Sequence, residues 1–240
     1  MESLKDTLFI VIPAYNEEKN IKKVIDDWYS VLQNANANSR MVVADKGSTD
    51  KTHEILLALK LKYPQLEVYD TKYKEHGPKL IALYKYAIKK QADYIFQTDS
   101  DGQTNCKEFA QFWKLKRDYD GIFGSRVKRE DGRGRIFVEF VVCKLLKLYF
   151  NVKVNDANAP FRLMKAEVLN NYINMLPEDF NIPNIMITTY FEYYHHNNKF
   201  IDISFKPRKK GKNSVNYFQI FKVGAKAIKD FYILRKKMKM

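Results

Sequence analysis

Short apolar runs alternate with amphipathic stretches along the first hundred residues. Residues 7–12 form a nearly continuous β-branched run, the pattern of a strand buried on both faces. Pro13 cannot donate to a ladder and closes it. Ile21, Val24, Ile25, Trp28, Val31 and Leu32 then recur at helical spacing. Asn16 is placed to cap that helix, with Glu17 and Glu18 in its first turn. The cycle repeats: residues 40–44 read as a strand, and Ser48 or Thr49 is placed to cap a helix through Ile55, Leu56 and Leu59. Residues 66–69 make a third strand, Gly77-Pro78-Lys79 opens a third helix, and residues 92–96 make a fourth strand. Such alternation predicts right-handed βαβ units and a mostly parallel sheet flanked by helices.

Beyond residue 105 the pattern is looser. Residues 121–124 read as a strand and 136–150 as a helix of about 22 Å, too short for a hydrocarbon core of about 30 Å. With Glu139, Lys144 and Lys147 inside it, that helix is either part of the core or lies on a membrane surface. A helix is expected over 185–197 and an edge strand over 199–205. Residues 217–240 form a basic amphipathic helix whose apolar side carries Phe218, Phe221, Ala225, Ile228 and Tyr232. It either lies on anionic lipid or docks on the domain.

Ligands of open α/β sheets bind at the carboxyl ends of strands. Tyr15, Glu17, Asp45, Asp99 and Asp101 all follow predicted strands there. The stretch Asp99-Ser100-Asp101-Gly102-Gln103 offers hard oxygen donors suited to Mg²⁺ or Mn²⁺, although Asp, Ser and Gly also make ordinary turns. No G-x-G-x-x-G follows the first strand and no G-x-x-x-x-G-K-[ST] occurs, which argues against dinucleotide oxidoreductases and P-loop NTPases.

With 240 residues, 45% of them apolar, the chain is globular and large enough for one substantial core. Cys106 and Cys143 lack CxxC spacing, so neither a disulfide framework nor a zinc site is expected. The first residues are polar and read as no signal peptide. A formal charge of +14 asks for an anionic partner: nucleotide, lipid or nucleic acid. Nucleic acid would leave the Asp cluster unexplained and is not expected. His195 and His196 are adjacent rather than i, i+4, so they read as surface or packing residues.

Val11-Ile12-Pro13-Ala14-Tyr15-Asn16-Glu17, Ala44-Asp45-Lys46-Gly47-Ser48-Thr49-Asp50 and Asp99-Ser100-Asp101 together resemble the nucleotide-sugar half of family 2 glycosyltransferases of the GT-A fold. Gln103 resembles the dolichyl- and polyprenyl-phosphate branch. The resemblance covers about residues 7–215, implying a nucleotide-sugar half (1–105), an acceptor half (106–215) and the C-terminal helix (216–240). It implies that Asp45 holds base or ribose of a GDP- or UDP-sugar, with Pro13, Ala14, Tyr15 and Glu17 lining the pocket and Lys79 and Ser100 beside it. Asp99 would contact ribose or the metal shell, while Asp101 and Gln103 would ligate Mg²⁺ or Mn²⁺. Lys46 stands where the family often has a second acid, and is read as facing solvent.

In the acceptor half, Asp156 to Met164 resembles a family segment that ends in a P-F-R triplet, making Asp156 a candidate carboxylate or a turn-fixing residue. Arg208-x-x-Gly211-x-x-Ser214 resembles the family's basic loop over the diphosphate, for which Arg208 has the bidentate fork. The implied reaction is a single inverting displacement. A polyprenyl-phosphate acceptor is already ionised and needs no strong base; Arg126, Arg133 and Arg135 would hold its phosphate. A saccharide hydroxyl, as in cell-surface polysaccharide assembly, would need a base, with Asp156 and Asp179 available. The implied setting is the cytoplasm, peripheral on the inner membrane face.

Overall fold

The computed structural model describes residues 6–33, 35–126, 133–207 and 217–238. Chain order is β1 (Leu8–Ala14), α1 (Ile21–Leu32), β2 (Arg40–Asp45), α2 (Thr52–Lys62), β3 (Leu66–Tyr69), α3 (His76–Lys89) and β4 (Tyr94–Thr98). A 3₁₀ turn (Cys106–Glu108) then leads into α4 (Phe109–Lys114), β5 (Gly121–Arg126) and α5 (Arg133–Phe150). The chain continues through β6 (Phe161–Lys165), α6 (Ala166–Ile173), α7 (Pro183–Tyr193), β7 (Asn198–Ile203) and α8 (Tyr217–Met238). All seven strands form one sheet in the order β3-β2-β1-β4-β6-β5-β7.

Every residue of β1 is buried, as its unbroken apolar run requires. The pleat sends Phe9 and Val11 to one face, with Val42, Ile95 and side chains of α3, α6 and α7. Leu8, Ile10 and Ile12 go to the other face, against α1, α2 and α4. On that second face Trp28 packs against Phe96, Phe109 and Phe161, with ring centroids 5.1, 6.4 and 5.7 Å away.

β1, β2, β3 and β4 run parallel, as does the pair β5–β7. β6 is antiparallel to both β4 and β5. The sequence expectation has no strand here, where Arg162 stands in an otherwise apolar run. The reversal matters for the site. The amino end of β6 joins the carboxyl ends of β1, β2, β4, β5 and β7 along one edge, so the loop before β6 faces the loops after the others.

Three local expectations are corrected. Asn16 does not cap α1: it adopts φ +54°, and its side-chain oxygen accepts from the Thr49 amide at 2.7 Å. α1 starts five residues beyond the predicted cap, at Ile21. Neither Ser48 nor Thr49 caps α2; Asp50 accepts from the Thr52 amide at 3.0 Å instead. α7 stops at Tyr193 rather than 197, because His195 takes a left-handed φ of +56° that turns the chain into β7. His196 packs there, bonded to the Tyr172 hydroxyl at 2.5 Å and to Asp120 at 3.3 Å.

The apolar stripe on α8 is also displaced from the expected one. Phe231, Leu234 and Met238 are buried, while Ile228 and Tyr232 are exposed. Phe231 meets Phe150 of α5 at 5.8 Å. Burial of each such side chain contributes about 1.5–3 kcal/mol, so α8 docks on the domain. The side chains of Phe218, Phe221 and Ala225 lie outside the described residues.

Candidate active site

The strand order reverses between β1 and β4, and crevices at such switch points bind ligands in open α/β sheets. The Ser100 hydroxyl spans this one, donating to the Pro13 carbonyl at 2.9 Å. On the β2 side the loops after β1 and β2 are joined by several bonds. The Asn16 amide donates to Ser48 Oγ at 2.9 Å, Glu17 to Thr52 Oγ1 at 2.8 Å, and Glu18 to Asp50 Oδ2 at 3.1 Å. The sequence motifs around Tyr15 and Asp45 are thus two halves of one loop cluster.

Within it, the Asp45 side chain is only 1% exposed, with His53 Nδ1 3.4 Å from its Oδ2. Ser48 donates to its other oxygen. Glu17 is buried and accepts from Asn20 Nδ2 at 2.7 Å. Tyr15 is the open surface of the cluster, 44% exposed. Lys79, buried at the start of α3, donates to the Ala14 carbonyl at 2.6 Å and sits 5.4 Å from the Tyr15 ring. Lys46 faces solvent, 3.4 Å from Asp70, as expected of it.

Burial pulls the Lys79 pKa down to about 8, with Asp45 and Glu75 opposing that shift. The folded pKa lies below the unfolded value of 10.5. Between the two, the unfolded chain binds more protons, so folding gains stability as pH rises from 8 toward 10 and loses it as pH falls through 8. Urea unfolding across pH 7–10 is expected to show wild type gaining on the order of 2 kcal/mol relative to Lys79→Met. A pH-independent difference would remove the buried charge from this account.

On the β4 side, Asp99 is 26% exposed and Asp101 half-buried. Asp101 Oδ1 accepts from the Gln103 amide at 3.1 Å, and Gly102 takes φ +72°, the conformation that folds this loop back. Burial first, and then the Asp101 carboxylate, raise the Asp99 pKa above the ordinary carboxylate range. Two carboxylates held together at a strand end favour a shared cation, and their oxygens suit Mg²⁺ or Mn²⁺. Among the described residues no cluster of three or more His, Cys, Asp or Glu could hold a metal. The Gln103 side chain is buried, and its Nε2 donates to the Lys206 carbonyl at 2.7 Å. Only its Oε1 can therefore turn to a cation. The Lys206 amide donates back to the Gln103 carbonyl at 2.9 Å.

On the β5–β6 side two of the charged candidates meet. Arg126 and Asp156 are both buried and paired with each other: Nε to Oδ2 at 2.7 Å and Nη2 to Oδ1 at 2.8 Å. Glu139 lies 3.8 Å from the same guanidinium. Arg126 is thus engaged within the protein instead of facing an acceptor phosphate, and Asp156 holds an arginine and a turn instead of standing open as a base. Asp179 is exposed, 4.0 Å from Lys226. Arg162 of the P-F-R triplet is fully buried and donates to the carbonyls of Ala157, Ala159 and Asn184 at 3.2, 2.9 and 3.0 Å. Arg133 and Arg135 lie in the first turn of α5, but their side chains fall outside the described residues, as do Arg208 and Ser214 entirely.

Sequence reasoning passed over His53, Gln97 and Asn184. Gln97 carried a signal: it is the polar residue in the run that leads into Asp99.

A model of glycosyl transferase family 2 matches residues 9–173. A dolichyl-phosphate beta-glucosyltransferase of Trichomonas vaginalis is 25% identical over 174 residues, covering 67% of this chain and 53% of the relative. An undecaprenyl-phosphate 4-deoxy-4-formamido-L-arabinose transferase of Shewanella sediminis is 25% identical, covering 68% and 50%. The chain thus spans about half the length of these two relatives. Among solved structures, glucosyl-3-phosphoglycerate synthase of Mycobacterium tuberculosis with Mn²⁺ and UDP-glucose superposes with a TM-score of 0.68 at 16% identity, covering 97% of this chain and 80% of that one.

Proposed function

As a member of glycosyl transferase family 2, the chain is a glycosyltransferase of GT-A fold, and we propose that it moves a sugar from a GDP- or UDP-sugar onto a polyprenyl phosphate or related lipid-linked acceptor, with inversion. The observation that carries the donor half is the convergence of Tyr15, Asp45, Asp99 and Asp101 on one switch-point crevice. The acceptor follows from the relatives named for dolichyl- and undecaprenyl-phosphate.

In this reading Tyr15 offers its exposed ring to the nucleotide, and Ser48 and His53 orient Asp45 beside it. Ser100 and Lys79 fix the carbonyls of Pro13 and Ala14, which shape the pocket floor. Asp99 and Asp101, with Gln103 Oε1, would hold Mg²⁺ or Mn²⁺. When bound, that ion would offset the negative charge that grows on the diphosphate as the glycosidic bond breaks. Arg208 would add a bidentate contact to the same oxygens, and Ser214 a hydroxyl. Asp156 is engaged by Arg126, and an acceptor oxygen that is already ionised, as in a phosphate, needs no strong base. Arg133 and Arg135, at the N-terminus of α5, are assigned to that phosphate.

In the same proposal the reaction takes place at the cytoplasmic face of a membrane. Among the described residues no helix is long and apolar enough to cross one. α5 exposes Phe140 (57%) and Leu148 (76%) beside Lys144 and Lys147, and α8 exposes Tyr232 and Ile233 beside Lys229 and Lys236. Such mixed faces suit an anionic lipid surface.

The test uses radiolabelled UDP-glucose and GDP-mannose, Mn²⁺, and either undecaprenyl phosphate in detergent or a soluble saccharide. Label that enters the organic phase only with the lipid phosphate supports the reading. Label transferred only to the saccharide overturns the acceptor assignment.

A further inference from the structure

A polar residue with no solvent exposure in the middle of a central strand needs a reason, because an unbonded buried amide costs several kcal/mol. Gln97 is such a residue. It lies on β4 between Val11 of β1 and Arg162 of β6, and its neighbour Ile95 belongs to the apolar core. Both ends of its amide are bonded. Nε2 donates to Asp99 Oδ1 at 3.0 Å, and Oε1 accepts from Asn184 Nδ2 at 3.1 Å. Asn184, buried in the first turn of α7, in turn accepts at Oδ1 from the Tyr84 hydroxyl of α3 at 3.2 Å.

The polarity of this chain is consistent along its length. Gln97 presents its NH₂ to Asp99 Oδ1. Its oxygen then requires the NH₂ of Asn184, and the Asn184 oxygen requires a hydroxyl that donates. Tyr84, fully buried, has its pKa pushed up and remains a donor. The backbone carbonyl of Asn184 is held as well, by Arg162 Nη1 at 3.0 Å. Two helices behind the sheet, α3 and α7, thereby act through Gln97 on one oxygen of one carboxylate.

We infer that Tyr84, Asn184 and Gln97 form a buried positioning relay that fixes the Asp99 carboxylate for a divalent cation and nucleoside diphosphate. The inference rests on the donor-site reading above. None of the three residues touches ligand; each acts through the next, as partners behind metal-binding carboxylates commonly do.

The experiment measures Mn²⁺ affinity in the presence of UDP and, in parallel, GDP, from the electron paramagnetic resonance signal of free Mn²⁺. The ligand-free thermal midpoint of each protein is recorded alongside. Gln97→Met, which keeps the side-chain volume and removes both bonds, is expected to weaken Mn²⁺ binding roughly 10- to 100-fold. In an Asp99→Asn background the same change should add little, because the relay then has no carboxylate to hold. Should Gln97→Met fail to fold, Tyr84→Phe removes one hydroxyl from the far end and should weaken binding about two- to fivefold. Unchanged Mn²⁺ affinity in a folded variant overturns the inference, as do fully additive losses in the Asp99→Asn background. Failure of the wild type to bind Mn²⁺ with either nucleotide overturns the donor-site reading and the relay together. Wild-type binding with unaltered variants overturns the relay alone.

Discussion

Asp101→Ala is expected to abolish metal-dependent nucleotide binding while leaving the ligand-free fold in place. The residue is half-buried at a loop and accepts from the Gln103 amide, two residues on. A nucleoside diphosphate at 100 times its dissociation constant raises the wild-type unfolding free energy by roughly 2.7 kcal/mol. That increment should require Mn²⁺, disappear with EDTA, and be absent from the variant. Transfer should fall on the order of 10³-fold, since one preorganised charge-stabilising group is typically worth 10²–10³ and the ion depends on this one directly. A thermal scan with and without Mn²⁺ and UDP or GDP, followed by a transfer assay, reads both quantities. A variant that keeps the Mn²⁺-dependent shift would move the cation away from this loop.

Asp156→Ala is expected to act in the opposite way, through the fold. It leaves Arg126 buried beside Glu139 without its two-bonded partner. Breaking a buried pair from one side costs about 3–5 kcal/mol, whereas replacing both partners by apolar groups is often tolerated. A chain of this size loses about 2–4 °C per kcal/mol, so the midpoint should drop by roughly 10 °C. Arg126→Met combined with Asp156→Leu should recover much of that loss. A catalytic base would give the reverse result: a midpoint close to wild type with kcat collapsed. Thermal melts of the single and double variants separate the two roles.

The β1–β2–β4 part of the candidate site was legible because its information is local. Each of Tyr15, Asp45 and Asp99 lies just beyond an apolar run, and strand–helix alternation places such positions on one edge whatever the details. The parts that misled depend on long-range pairing. No strand is expected at β6, where Arg162 puts a cation in an apolar run; the carbonyls of Ala157, Ala159 and Asn184, assembled by the fold, make its burial tolerable. Arg126 and Asp156 lie 30 residues apart, so nothing in either neighbourhood announces that they neutralise each other. The caps failed for a related reason. Asn16 and Ser48 are good cap residues by type, but the loops after β1 and β2 bind each other, and that cross-loop bonding displaced local capping.

The paired bonds between Gln103 and Lys206 carry a consequence for how this protein comes into being. They join positions 103 residues apart, so the acidic loop acquires its finished shape only once β7 has been added at the far edge of the sheet. A nascent chain that has emerged only as far as β6 already contains β1–β4 and every acidic residue of the crevice, yet lacks the segment that anchors Gln103. Competence for the metal ion should thus appear late during synthesis, after most of the core has condensed. A nascent chain with residues up to about 190 outside the ribosome would display a largely folded sheet whose acidic loop is still unfinished.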